Sequence, residues 1–391
     1  MTPFKRSLLF FHRWLGFISG LVVVIVSLTG AIFAFQDEIQ DALYADYRKV
    51  EPQNKPYILP SQLTQIALKK YPAAKTTYYG YYGEDRPAVV GITEPKLGTR
   101  YLFINPYTGK LLFSQDLTKN FFVIVEYLHL YLLLPPAIGR MIVGTSVIIF
   151  VIIMITGIIL WWPKRKSDRK RSFTIKWGGR WRRVNYDLHN VLGFYACSIA
   201  IILAITGLSI AFEWVNDGIY KAANLGKTYA YEKEEPKSDS TKAAFAIKDP
   251  MDRSFVYAKA RSPQAHMFFL HTDEKVAGHP ITVYAYYKSM HFYESDIYDF
   301  DKYNAKLMRY LPHQKKSAGL KMNAMNYDIH VGQILGLTGK IIAFLASLIC
   351  ASLPITGFII WLGKRNKSKT KKIKDAVHIR TTHKRSISTK S

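Results

Sequence analysis

The chain has 391 residues, 49% hydrophobic and 21% charged, which excludes an intrinsically disordered protein. Its formal net charge of +26 would point to nucleic acid in a soluble chain. A mean hydropathy close to zero in so basic a sequence instead requires the apolar residues to be gathered into blocks, as in a membrane protein with no nucleic-acid partner. The two cysteines, Cys197 and Cys350, both lie in apolar runs, which leaves no disulfide scaffold and no cysteine-based zinc or iron–sulfur site. No CxxCH occurs for covalent haem attachment.

In chain order, residues 1–36 hold a first apolar stretch, Trp14 to Phe35, behind the positive residues Lys5, Arg6 and Arg13. It exceeds the roughly 7 to 15 residues of a signal-peptide core and reads as an uncleaved span. Residues 37–120 form a first outer domain: Ser61 to Pro72 has helical apolar spacing with an N-cap serine and a terminating proline, and strand-like runs follow at Thr76 to Tyr82, Ala88 to Thr93 and Arg100 to Asn105. A turn, Asn105-Pro-Tyr-Thr-Gly109-Lys, leads to Leu111 to Ser114. Residues 121–163 carry a pre-helix and a second span, Ala137 to Trp162. Residues 164–183 are a basic loop with ten Lys and Arg, from Lys164 to Arg183, against the single acid Asp168. A third span, Leu188 to Phe212, occupies residues 184–213. The second outer domain, 214–326, repeats a helix at Asp252 to Ser262, strands at Met267 to His271, Ile281 to Tyr287 and Ile297 to Phe300, and a turn, Asp301-Lys-Tyr-Asn-Ala305-Lys. Residues 327–363 hold a pre-helix and a fourth span, Gly339 to Leu362, and 364–391 are a basic tail with Lys367, Lys369, Lys371, Lys372 and Lys374.

Lys and Arg accumulate in cytoplasmic loops, so the basic loop and tail place both termini in the cytoplasm and both outer domains on the far side, with anionic membrane lipid as a partner of the basic runs. The chain also repeats itself. His12-Arg-Trp-Leu-Gly16-Phe and Thr29-Gly30 in the first span match His189-Asn-Val-Leu-Gly193-Phe and Thr206-Gly207 in the third, at identical spacing. Thr156-Gly157 with Trp161 matches Thr356-Gly357 with Trp361, Gly139-Arg140 matches Gly339-Lys340, and His129 matches His330 with a one-residue slip. The expected fold is an α-helical membrane protein of four transmembrane helices arranged as two span–domain–span repeats, each with a small α+β outer domain.

Four histidines at duplicated positions carry the chemistry. Two copies pointing the same way across a membrane are related by a pseudo-two-fold axis along its normal, which sets His12 opposite His189 and His129 opposite His330. Each pair suits the two axial positions of a haem, with Gly16, Gly20, Gly193, Gly332 and Gly336 making room for a flat ring and Arg13, Arg183, Arg140 and Lys340 placed for its propionates. Zinc or copper is the rival, but it asks for three or four converging ligands. His266, His271, His279 and His291 of the second outer domain, His313, and His378 and His383 of the tail read as scattered surface histidines. No GxGxxG, Walker A, GxSxG or HExxH motif is present, so nucleotide and hydrolase chemistry have no footing.

With His12-Arg-Trp-Leu-Gly16, the paired Thr-Gly positions, Asp187-Leu-His189, Gly139-Arg140 and Trp161-Trp162 in view, the chain resembles the PepSY-associated transmembrane helix family of iron-regulated bacterial inner-membrane proteins over about residues 4 to 365. The resemblance implies two b-type haems, PepSY-like periplasmic domains, and reduction of a ferric siderophore or other ferric chelate with electrons from a flavoprotein or quinol. It departs in having Ala305 where the first domain has Gly109, and in lacking a fused flavin domain. The competing readings are a PepSY-type binding or regulatory protein, such as a protease inhibitor or sensor, and a transporter, disfavoured because the span centres lack ionisable residues.

Overall fold

The computed structural model describes residues 2–163, 165–241, 247–273, 276 and 278–388, with side chains as far as residue 365. Lys164 and the side chains of the basic tail beyond Arg365, including His378 and His383, lie outside the described residues. Among the described residues, four helices are long and apolar enough to cross a membrane: Pro3–Ala34, Pro136–Trp161, Trp181–Ala211 and Gln333–Arg365, here spans 1 to 4. In hydrocarbon every backbone N–H and C=O must find its partner within the chain, which a helix achieves by itself. Spans 1 and 3 start well before the expected Trp14 and Leu188, at Pro3 and Trp181, because no helix-breaking residue lies between those starts and the apolar runs. Span 3 also departs from regular geometry: Leu188–Leu192 form a π-helical turn that carries His189, a distortion that concentrates at functional sites.

The chain divides into two compact units, one of Met1–Ala31, His129–Ala204 and Phe344–Ser391, the other of Ile32–Leu128 and Ile205–Ala343. Within the first, Met154, Cys197, Ala200, Cys350 and Leu353 form a buried apolar core. Both cysteines are free and act as small apolar fillers.

Within the second unit, strands β1 Lys75–Tyr81, β2 Ala88–Glu94, β3 Gly98–Ile104, β4 Leu111–Asp116, β5 Met267–His271, β6 Ile281–Tyr286, β7 Ser295–Phe300 and β8 Leu307–Leu311 form one antiparallel sheet in the order β4-β3-β2-β1-β5-β6-β7-β8. The strands of the two expected α+β domains are therefore joined edge to edge. The seam is β1 on β5, with Tyr79 opposite Leu270 and Tyr81 opposite Phe268. Alternate residues of both halves, among them Tyr81, Val90, Leu102, Phe268 and Val283, enter one core with Leu63 of helix Pro60–Lys70 and Phe255 of helix Pro250–Arg261. Each such fully buried side chain is worth about 1.5–3 kcal/mol, so a shared core rewards the join.

Local details differ from the sequence reading for identifiable reasons. Ser61 is not the N-cap: Leu59 holds that place, its N–H donating to Gln62 Oε1 at 2.8 Å, with Pro60 as first helical residue. Ser61 instead donates its N–H and hydroxyl to the Asp252 carboxylate at 2.8 and 2.5 Å, tying the two sheet helices together. Strand β8 escapes periodicity because it is short and interrupted by Arg309, whose Nε pairs with buried Asp299 at 2.6 Å. The two turns are built alike despite Ala305. Gly109 donates its N–H to Asn105 O at 3.0 Å and Ala305 to Asp301 O at 2.8 Å, with φ of 73° and 54°.

Candidate functional site

Each of the four duplicated histidines rests on a Thr-Gly pair of another span. His12 Nδ1 lies 3.0 Å from Thr156 Oγ1, and His189 Nδ1 lies 2.9 Å from Thr356 Oγ1. His129 Nδ1 lies 3.1 Å from Thr29 Oγ1, and His330 Nδ1 lies 3.0 Å from Thr206 Oγ1. The glycine that follows each threonine leaves room for the ring. A Cβ built on Gly157, Gly357, Gly30 or Gly207 would stand 3.2, 3.2, 3.0 or 2.9 Å from the Cε1 of the seated histidine. Of the glycines expected to make room for a flat ring, Gly20 packs on Pro354 and Gly193 on Leu353, while a Cβ on Gly16 would meet nothing within 4 Å. The seating is reciprocal, since span 1 bears His12 and seats His129, while span 2 seats His12. Spans 3 and 4 exchange His189 and His330 in the same way.

The hydrogen bonds point to the nitrogen that carries the proton on three of the four rings. Thr156 Oγ1 donates to the Ile153 carbonyl at 3.0 Å, and Thr356 Oγ1 to Ser352 O at 2.9 Å, so each hydroxyl has spent its proton and accepts Nδ1–H from the imidazole. His129 Nδ1 also lies 2.9 Å from the Val26 carbonyl, which only accepts. His12, His189 and His129 are thereby set in the tautomer whose Nε2 carries the lone pair, the nitrogen that ligates when Nδ1–H is held by a neighbour. His12 and His189 come together, with ring centres 6.5 Å apart and ring planes at 90°. Phe17 with Trp361, at 5.2 Å, and Phe194 with Trp161, at 4.6 Å, supply aromatic contacts five residues beyond each of these two histidines.

The four cations take different places. Arg13 lies against the Phe10 and Trp14 rings, and its Nε is buried without a hydrogen-bond partner. Arg140 is exposed, with its guanidinium 5.9 Å from the Tyr131 ring. Arg183 is paired with Asp187 at 2.7 Å and Lys340 with Glu38 at 2.7 Å, so each of these cations shares its charge with a carboxylate. The glycines beside Arg140 and Lys340 have a steric role instead: a Cβ on Gly139 would strike the Tyr131 carbonyl, and one on Gly339 the Gly332 carbonyl.

Sequence reading missed the threonines' partners and a repeated pentapeptide, Asn185-Tyr-Asp-Leu-His189 and Asn326-Tyr-Asp-Ile-His330. Both asparagines are buried and donate Nδ2–H to the carbonyl of the threonine that seats their histidine, Thr356 at 3.1 Å and Thr206 at 3.1 Å. Both aspartates are buried and hold a neighbouring loop: Asp187 accepts the Lys176 N–H at 3.3 Å, and Asp328 accepts the Phe292 N–H at 3.1 Å. Burial lifts the Asp328 carboxyl to about 6. Elsewhere, His271 stacks on Tyr284, with burial holding its imidazole below the ordinary value, and His291 Nε2 meets Gln333 Nε2 at 2.9 Å. Among the described residues no group of three or more His, Cys, Asp or Glu is arranged to hold a metal ion.

Four apolar spans, paired through reciprocal histidine seats and interrupted by the strands of one antiparallel sheet, define a multi-pass membrane protein. Residues 9–364 match the family described as PepSY-associated TM region, and the chain belongs to that family. No curated protein matches it.

Proposed function

We propose that the protein is a di-haem electron conduit of a bacterial inner membrane that reduces a ferric siderophore or another ferric chelate in the periplasm for iron uptake. The observation that carries the reading is the close pair His12 and His189, two imidazoles whose Nδ1 atoms are both held by threonine. Two metal–imidazole bonds of about 2 Å set in line, with each ring centre about 1 Å beyond its nitrogen, ask for roughly 6 Å between ring centres. The 6.5 Å separation fits. A bare zinc or copper ion would need a third ligand, which the described residues do not bring. The orphaned Arg13 Nε, one residue from His12, suits a propionate.

When bound, a b-type haem supplies a one-electron ferric–ferrous couple between two imidazoles. His12 and His189 would hold one such group, and the duplication in the sequence assigns His129 and His330 to a second. The threonines fix ring orientation and leave Nε2 as the nitrogen free to ligate, the Thr-Gly glycines admit the imidazole edge, and Phe17, Trp361, Phe194 and Trp161 exclude water. Arg13 and Arg140 would answer the propionates. Haems near the two faces divide a hydrocarbon core of about 30 Å, too long for one efficient transfer. Both termini lie in the cytoplasm on this reading, the sheet unit in the periplasm, and the matching seats and turns are those of two span–domain–span repeats.

Pyridine haemochrome analysis of protein made with ample haem tests the proposal. Two haems b per chain are expected. A stoichiometry near zero removes electron transfer and leaves a PepSY-type binding or regulatory protein.

A further inference from the structure

The loop between spans 2 and 3 presents eight exposed Lys and Arg side chains between residues 165 and 182, against the single acid Asp168. A cluster that only oriented the chain in a membrane would need no structure, because that effect depends on the number of charges near a span end. This loop is moored at two points. The Phe173 ring packs on Trp161 and Phe194 at 4.8 and 5.0 Å, and the Tyr195 hydroxyl donates to the Phe173 carbonyl at 3.4 Å. Further along, the buried Asp187 carboxylate accepts the Lys176 N–H at 3.3 Å and Arg183 Nε–H at 2.7 Å. Asp187 and Phe194 lie two residues before and five residues after His189. The loop is therefore fastened to the same stretch of span 3 that presents His189. Among the described residues, its cations from Arg165 to Arg182 have no carboxylate partner within ion-pair distance, so the field they create is uncompensated within the loop.

We propose that this loop is the docking platform of an acidic one-electron carrier protein, a flavoprotein or iron–sulfur protein with carboxylates around its cofactor, that feeds electrons to the group held by His12 and His189. The inference rests on the conduit reading above. Lipid headgroups would be satisfied by basic residues at any span end and gain nothing from mooring beside His189. A carrier must bring its cofactor close to that ring, bind briefly and leave, which is what a small, charge-steered contact provides. Each encounter moves one electron: the carrier is oxidised by one, the histidine-held group is reduced by one, and no bond in this chain forms or breaks. A proton lost by a flavin carrier goes to the solvent on the same side.

The test uses the full-length, haem-loaded protein in discs of phosphatidylcholine, with reduced flavodoxin as the acidic probe and stopped-flow detection of haem reduction. Replacing Arg169, Lys170 and Arg171 together by Glu should lower the second-order rate roughly tenfold or more at low salt, and replacing them by Gln by a smaller factor. Both differences should fade at high ionic strength, where the Debye length drops to about 3 Å, while reduction by dithionite stays unchanged. Equal rates for wild type and both variants would overturn the proposal, as would variants that lose only binding to phosphatidylglycerol vesicles. Co-sedimentation of oxidised flavodoxin with the discs reads docking without any haem. A protein that binds no haem yet binds flavodoxin in a loop-dependent way would sink the conduit reading while upholding the platform.

Discussion

A threonine hydroxyl that donates to a carbonyl one turn back has one role left toward an imidazole, that of acceptor, and this makes Thr156 and Thr356 as consequential as the histidines they seat. Losing the hydroxyl frees the ring to rotate and to change tautomer. Thr156→Val should weaken haem retention at the His12–His189 pair by about 10- to 100-fold, the usual cost of removing a partner that orients a metal ligand, and Thr156→Ser should restore it. If His12 and His189 hold one haem as proposed, His12→Ala and His189→Ala should each damage the same spectral component, with little added by combining them, because two ligands of one group act as a unit. Redox titration of the variants separates this outcome from one in which the two histidines affect different haems. At another residue, Lys316 is 4% exposed and donates to Ser295 Oγ at 3.0 Å, and burial pulls its ammonium down to about 8. Between that value and the ordinary one near 10.4, the unfolded chain binds more protons than the folded one, so stability should rise with pH, by up to roughly 3 kcal/mol. The thermal midpoint should climb between pH 8 and pH 10, and Lys316→Met should flatten that climb.

At the scale of elements, the two turns that end β3 and β7 make a controlled comparison. Both place their fifth residue in the left-handed region, where Gly109 sits without cost and Ala305 does not. Ala305→Gly should stabilise the sheet by about 0.5–1 kcal/mol and Gly109→Ala should destabilise it by a similar amount, read as opposite shifts in unfolding midpoint. Both turns share the same side-chain brace: Asp301 Oδ1 takes the N–H groups of Tyr303 and Asn304 at 2.9 and 3.2 Å, as Asn105 Oδ1 takes those of Tyr107 and Thr108 at 2.9 and 3.1 Å, so the fifth residue is the difference the pair of substitutions reads. Elements were legible in the sequence where one physical signal dominated. The spans, the sheet helices and seven of the eight strands follow from unbroken apolar runs or clear periodicity. Strand β8 was hidden because Arg309 faces Asp299 across the sheet, so its polarity reports an ion pair and not exposure. The histidines and the Thr-Gly pairs were both visible as repeats, but that one seats the other is a contact across spans, which spacing along a single chain does not encode. The repeated Asn-Tyr-Asp-Leu/Ile-His pentapeptide was legible in principle, since its asparagine lies one helical turn before the histidine.

For the whole molecule, reciprocal seating means that no span is dispensable: each one both bears or precedes a histidine and holds the threonine for another. The β1–β5 seam has a further implication. A chain severed in the loop at residues 165–180 would yield two halves, each with two spans and four strands, and each with one newly bared strand edge, β1 in the first and β5 in the second, beside the outer edges β4 and β8 that the intact sheet already has. Bare edges seek partners. Made together, the halves should find one another and co-purify from membranes as a non-covalent heterodimer, and Phe269→Pro, which removes an N–H from β5 and bends it, should prevent the pairing. Made alone, the first half should pair through its own β1 with a second copy of itself, which would mark the present single chain as a homodimer whose two subunits have become fused.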